Sequence, residues 1–479
     1  MSNTSGNGNG SRSARPVILL EFNELCPSLT THFMAQGKLP NFRRLYAESQ
    51  VFLTDAEEKA PNLEPWIQWT TVHCGLPFRE HGVFHLGDGP KLRAKCVWDL
   101  LSDAGLNVWV CGSMNIKYDP GTRGWMLPDP WTTGVSPHPK DLEPYYRFVQ
   151  MNVQEHSNDR VPLSKADYAR FLSFMVQHGL SITTLNAILR QLLSERGGKN
   201  RWKRAVILDK LQFDVFRAQY QRLRPAFSTF FLNSTAHFQH VHWREMEPER
   251  FAVKPAPEEQ AEYQDAILFG YQQMDGLVGR FLDLAGDHAT LVFATALSQQ
   301  PCLIYEEKGG KVLHRPRDFE PVLAFAGVTE PHRVSPVMAE EFHVHFENER
   351  DAASGLLKLQ ALRVIDRPAL TLERNGSSVF GGCRIFTPIP NDAALTIADS
   401  PTARLFFELF YRIEGMKSGM HHPDGMLWLR APERSHAVHS EKVSLLSIAP
   451  TILDMFGLPA PAHMRGPVLG RAPEMAGVR

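Results

Sequence analysis

The chain has 479 residues and sets 51 Lys+Arg against 52 Asp+Glu, a formal net charge of -1. That balance argues against a dominant electrostatic partner such as nucleic acid or an anionic membrane surface. With 43% hydrophobic and 22% charged residues, the composition is globular, and the length admits one large α/β domain with insertions or two to three smaller domains.

In chain order, residues 1–16 are rich in Gly, Ser and Asn and read as a disordered tail that lacks the apolar stretch of a signal peptide. Val17 to Leu20 is an apolar run that breaks at Glu21-Phe22-Asn23-Glu24, the pattern of a buried parallel strand with polar residues at its carboxyl end. Helix is predicted from Pro27 to about Ser49, interrupted at Gly37-Lys38-Leu39-Pro40, and strand at Val51 to Thr54. Pro65 fits the first position of a helix over Trp66–His73, with Glu64 as its cap. A helix over Cys96–Ala104 and a strand over Asn107–Cys111 follow. Residues 141–226 read as a helical insertion, with helices at Tyr168–Val176, Ile182–Arg196 and Leu208–Tyr220. Strand signal returns at Phe227–Leu232, then an amphipathic helix over Glu258–Leu284 and a strand over Thr290–Thr295. Residues 306–418 are mixed and Pro-rich in places, a cap-like insertion, and Val443–Phe456 reads as a closing helix. Alternating strands and helices predict an α/β fold with a mostly parallel central sheet and helices on both faces. The core would comprise residues 17–140, 227–305 and 419–479.

No segment reaches the roughly 18 continuous apolar residues of a membrane helix, so no membrane span is expected. The six cysteines form no CxxC pair and no metal-ligand spacing. They suit buried free thiols, and a cytoplasmic protein is the expectation.

Six landmarks in order resemble the alkaline phosphatase superfamily, in its type I phosphodiesterase/nucleotide pyrophosphatase branch. They are Gly37 to Leu45, Cys74-Gly75-Leu76-Pro77 with Glu80-His81-Gly82-Val83, Val97 to Leu101, Tyr271 to Asp275, Thr290 to Phe293, and the closing run Val443 to Pro459. The resemblance implies two zinc-like ions held by three Asp and three His, with a Thr or Ser nucleophile at a helix N-terminus. The positions that should carry these groups depart from the pattern. The first Asp falls on Asn23, and the "D-x-x-x-H" segment becomes Asn233 with His237 retained. The Asp-His of "SDHG" falls on Leu297 and Ser298, and the late His survives as His421 beside His422. The nucleophile window, Leu63 to Trp69, contains no Thr or Ser, and Glu64 is its nearest polar residue. Two adjacent cations need anionic ligands, so the usual two-metal site is not expected here.

Three readings of the histidines stay open: a single-ion site of His237, His421 and Asn233, a metal-free acid/base or anion-binding site, and a structural remnant. The cofactor is then none or one divalent ion, zinc or manganese. Glu64, Glu24, His237 and His421 are the candidate catalytic residues. Asn23, Glu21, Asn233, Trp66, Trp69 and His240 are candidates for binding a small anionic substrate. His237 and His240, spaced i, i+3, would share a helix face. The expected function is hydrolysis or group transfer on a phosphorylated, sulfated or similarly activated small molecule. A pseudoenzyme that keeps the fold and a metal-dependent phosphodiesterase with rearranged ligands are the alternatives.

Overall fold

All six residues of Val17–Phe22 are buried, which is why the strand opens on the apolar run Val17–Leu20 and carries its one charged residue, Glu21, near its carboxyl end: both of its faces are covered. The computed structural model describes residues 15–132, 134–157, 163–196, 199–337, 339–413 and 415–470. The strands that build the core are β1 (Val17–Phe22), β2 (Gln50–Asp55), β3 (Val108–Cys111), β4 (Gly124–Leu127), β5 (Phe227–Leu232), β6 (Thr290–Ala294), β7 (Ser298–Pro301), β8 (Gly419–His422) and β9 (Asp424–Arg430). Besides the one-turn helix Phe78–His81 and the helices of residues 306–418, the helices are α1 (Pro27–Ala35), α2 (Pro40–Ala47), α3 (Pro65–Cys74), α4 (Val97–Asp103), α5 (Glu143–Ser157), α6 (Lys165–Gln177), α7 (Ile182–Ser194), α8 (Ala205–Leu223), α9 (Ser234–Met246), α10 (Pro257–Tyr263), α11 (Ala266–Ala285) and α12 (Ile448–Met455).

The central sheet runs β2-β9-β6-β1-β5-β3-β4, with the short strands Ala437–Val438 and Val443–Ser444 paired to β2. β9 is antiparallel to both of its neighbours, and every other pairing is parallel. The fold is therefore α/β with a mostly parallel sheet and helices on both faces. Alternation along β1 sends Ile18, Leu20 and Phe22 into a core with α1, α2, α8 and α11, and Val17 and Leu19 into a second core with α3, α4 and α12.

Three stretches differ from the sequence reading. The single helix expected over Glu258–Leu284 is two: α10 buries nothing, and α11 begins where Ala266 and Ile267 enter the core. The closing run starts as strand, with Val443–Ser444 against β2, and becomes helical only at Ile448. Residues 306–418 contain two four-stranded antiparallel sheets, one with Glu341–Phe346 as an inner strand, around a separate apolar core that includes Phe342, Val344 and Leu395. Within 141–226, α8 lies against the sheet: Phe213 and Phe216 meet Phe230 edge-on and also pack on Phe281. The six cysteines are all free and buried. The tail expected over residues 1–16 lies, up to residue 14, outside the described residues.

Candidate active site

Parallel strands deliver their trailing residues to one edge of the sheet, where open α/β sheets form crevices. Asn23 and Glu24 follow β1, Asn233 follows β5, and β7 follows β6. β9 runs the other way, so the β8 residues that lead into it, His421 among them, arrive at the same edge. Glu64 caps α3 by position, but its side chain accepts no amide from that helix.

Glu24 is the centre. It is 2% exposed, and its φ of 62° puts a non-glycine residue in the left-handed region, at a cost of about 1 kcal/mol. Hydrogen bonds on every side hold it there. Gln239 Nε2 donates to its carbonyl at 2.7 Å, Asn23 Nδ2 to Oε1 at 2.8 Å, and Gln299 Nε2 to Oε2 at 2.5 Å. His240 Nε2 lies 3.1 Å and His421 Nε2 3.5 Å from the same Oε2. β7 and β8 pair antiparallel with Gln299 directly across from His421, so one ladder step delivers both side chains to Glu24.

His421 also faces a second carboxylate: its Nδ1 is 3.5 Å from Glu64 Oε2. Burial alone would lift the Glu24 carboxyl, but His421 and then His240 outweigh it and hold Glu24 well below the usual carboxylate range. Burial pushes Glu64 up, only partly opposed by His421 and Lys417. The Glu64 side chain keeps 32% of its surface open to solvent, more than Glu24 or His421. Burial disfavours the charged ring of His421, yet Glu24 and Glu64 together raise its pKa, whereas burial lowers that of His240. One imidazole ring thus stands between a carboxylate driven toward its charged form and a carboxyl group driven toward its neutral form.

The neighbours orient the row. Trp69 Nε1 donates to Asn23 Oδ1 at 2.8 Å, which turns the Asn23 amide nitrogen toward Glu24 and toward Asn233 Oδ1 at 2.7 Å. Glu21 faces the same helix one turn on, where His73 Nε2 lies 2.9 Å from its Oε1. Asp209 accepts the Ser234 hydroxyl beneath the start of α9, and burial lifts it to about 7.

The donor set was tested against the metal chemistry the resemblance implies. One ligand atom each from Glu24, His240 and His421 lies within 4.8 Å of the others, and His421 Nε2 is buried without a hydrogen-bond partner. One carboxylate and two imidazoles suit a single zinc or manganese ion. Leu297 is fully buried and apolar, and the Asn23 amide nitrogen donates to Asn233 Oδ1 and to Glu24 Oε1.

Several of the expected residues stand apart from this row. His240 reaches Glu24; His237 is exposed, with its ring against Phe238 at 6.2 Å and its charge felt by His242. The reason is the docking of β8, which binds the second turn of α9: Ser418 N donates to the His240 carbonyl, Trp243 N to Ser418 Oγ, and His240 Nδ1 meets the Gly419 carbonyl. Trp69 is fully buried, so it positions Asn23 and cannot stack on a substrate. Trp66 is turned away to the Phe84 carbonyl at 2.8 Å. His422 accepts the Asp424 amide on the far side of β8.

Gln239 and Gln299 carry no sequence signal for this role, and neither do two lysines. Lys417, two residues before β8, pairs through its backbone with Lys311, its amide donating to the Lys311 carbonyl at 3.0 Å. Lys311 also lies 5.1 Å over the Phe386 ring. Burial and then the Lys417 charge lower Lys311. Glu341, on the strand Glu341–Phe346, is pushed up to about 8 by burial, then by Glu340 and Glu64.

No protein-family model matches the chain, and no curated protein matches it in sequence. Among solved structures it is similar to murine ectonucleotide pyrophosphatase/phosphodiesterase 5, an inactive form in complex with AMP. The identity is 10% and the TM-score 0.40, over 95% of this chain and 97% of that one. It is also similar to phosphonoacetate hydrolase from Sinorhizobium meliloti in complex with phosphonoacetate. There the identity is 14% and the TM-score 0.37, over 91% of this chain and 96% of that one.

Proposed function

We propose that this protein is a hydrolase or group transferase acting on a small anionic ester, phosphorylated, sulfated or similarly activated, at a centre for at most one divalent ion. The observation that carries the reading is the convergence of Glu24, His240 and His421 on one point, with Glu64 on the open side of His421. The resemblance of the sequence landmarks supplies the ester chemistry.

Glu24, His240 and His421 would hold the ion, and a bound zinc or manganese would act as a Lewis acid toward an ester oxygen. The remaining roles belong to the chain. Lys311 and Lys417 attract the anionic group, because two half-buried cations side by side repel each other until an anion sits between them. Glu64, raised by burial and partly exposed, delivers or accepts the proton at the reacting oxygen. His421 lies between Glu64 and Glu24, so the charge left on Glu64 after proton transfer is met by the Nδ1 side of the His421 ring, 3.5 Å away. Asn23 and Gln299 fix the Glu24 carboxylate and keep it from following the proton.

A second reading, a fold retained as a binding protein, is favoured by the hydrogen bond that ties Asn23 to Asn233 and by the apolar Leu297. The two are separated by assaying purified protein against nitrophenyl phosphate, phosphodiester and sulfate esters, with and without added zinc or manganese. Turnover of one ester class that falls in Glu64→Gln supports the enzyme. Substrate binding without turnover across the panel supports the binding protein.

A further inference from the structure

The balanced charge of the chain conceals one segment that is far from balanced. Between Lys165 and Arg204 there are eight lysines and arginines against two acids, Asp167 and Glu195, a net of +6 where the whole chain carries -1. Both acids are already paired within the segment, Asp167 with Arg170 at 3.0 Å and Glu195 with Arg204. Arg190, Arg196, Lys199 and Arg201 are exposed.

The same segment exposes its apolar side chains. On α7, Ile182, Leu185, Leu189 and Leu192 recur at steps of three, four and three residues, which places them along one helix face. On α6, Tyr168, Leu172 and Val176 recur every four. All seven are 43–78% exposed, while the only buried residue of α7 is Thr184. A 13-residue helix with so little burial is marginal by itself, and polar contacts at its ends hold it. Asp214 accepts both the amide and the hydroxyl of Ser181, the Ser181 hydroxyl caps Thr184, and Gln191 donates to the Asn200 carbonyl. Just beyond, Trp202 packs edge-on against Phe238 of α9 at 5.5 Å, which fixes the basic end of the segment to the helix that carries His240. Seven large apolar side chains left open on two successive helices exceed the singly scattered hydrophobics of an ordinary surface.

We propose that α6, α7 and the basic residues after them form a surface that docks, without spanning, on an anionic lipid bilayer. The charge decides the occupant. A second copy would oppose +6 to +6 across a two-fold axis, whereas an anionic bilayer offers negative headgroups beside an apolar layer, the combination an interfacial amphipathic helix requires. No helix among the described residues is long and apolar enough to cross a membrane, so the mode is peripheral.

The test is co-sedimentation of the full chain with phosphatidylcholine vesicles, with and without about 30% phosphatidylserine, alongside light-scattering mass measurement in the absence of lipid. The expected result is a monomer that sediments with the anionic vesicles only, and that is released as salt rises from about 0.1 M to about 0.5 M. The double variant Leu189→Asp/Leu192→Asp, at exposed positions that leave the core intact, should weaken binding at least about tenfold. The charge reversal Arg190→Glu/Arg196→Glu should do the same, with unchanged melting of both. The proposal is overturned if anionic vesicles leave the chain in the supernatant, or if both variants bind as well as the parent. It is equally overturned if the parent is a dimer that Leu189→Asp/Leu192→Asp converts to monomer, since the face then belongs to a second copy.

Discussion

Glu24 and Glu64 stand 3.5 Å from opposite nitrogens of one histidine ring, His421. They are driven in opposite directions, Glu24 toward its charged form by the two histidines and Glu64 toward its neutral form by burial. Two carboxylates whose environments separate their pKa values are the arrangement from which acid/base chemistry is built.

Glu64→Gln should therefore lower turnover by about 10²- to 10⁴-fold while leaving thermal stability nearly unchanged, because Glu64 caps no amide and lies partly in solvent. Steady-state kinetics beside a melting curve measure both. A large drop in melting temperature would show that Glu64 serves the fold instead.

Trp69→Phe removes one hydrogen bond and little volume. It leaves Asn23 Oδ1 buried without a donor and frees the amide that orients Glu24. The expected loss is about 1–3 kcal/mol of stability, read from denaturant unfolding, together with weaker metal binding. Unchanged stability would mean that Asn23 turns over and finds another partner.

Asp209 gives a pH signature distinct from the active-site row. Its folded pKa, about 7, lies above the ordinary 3.8, so between those values the folded chain binds more protons than the unfolded chain. This group's contribution is complete below pH 3.8 and is lost as pH rises toward 7. Asp209→Asn keeps the acceptor for Ser234 and should flatten that fall. Urea unfolding at several pH values compares the two slopes, and parallel slopes would refute the assignment.

The sheet was legible in the sequence because strands buried on both faces, such as the one that opens on Val17–Leu20 and Phe227–Leu232, are dominated by apolar side chains and admit only small polar residues such as Ser228 and Thr229 along their length. Pro65 marked α3 and thereby placed Glu64. The choice of His240 over His237 was not legible, since it depends on where β8, almost 180 residues later in the chain, docks on α9. Gln299 is placed by a cross-strand register, and Lys311 and Lys417 by a bridge between the cap and β8; such long-range pairings leave no local periodicity. The strands of residues 306–418 are short and interrupted by turns, so their alternation is too brief to stand out, and the basic segment Lys165–Arg204 with its exposed apolar side chains was hidden by a whole-chain charge near zero.

The central claim, that Glu24, His240 and His421 form one centre to which His237 does not belong, is tested most directly by calorimetric titration of the metal-stripped protein with zinc and with manganese. The account predicts one ion per chain in the parent and in His237→Ala, and at least about a hundredfold weaker binding in His240→Ala. Two ions per chain, or binding lost in His237→Ala and kept in His240→Ala, would contradict it.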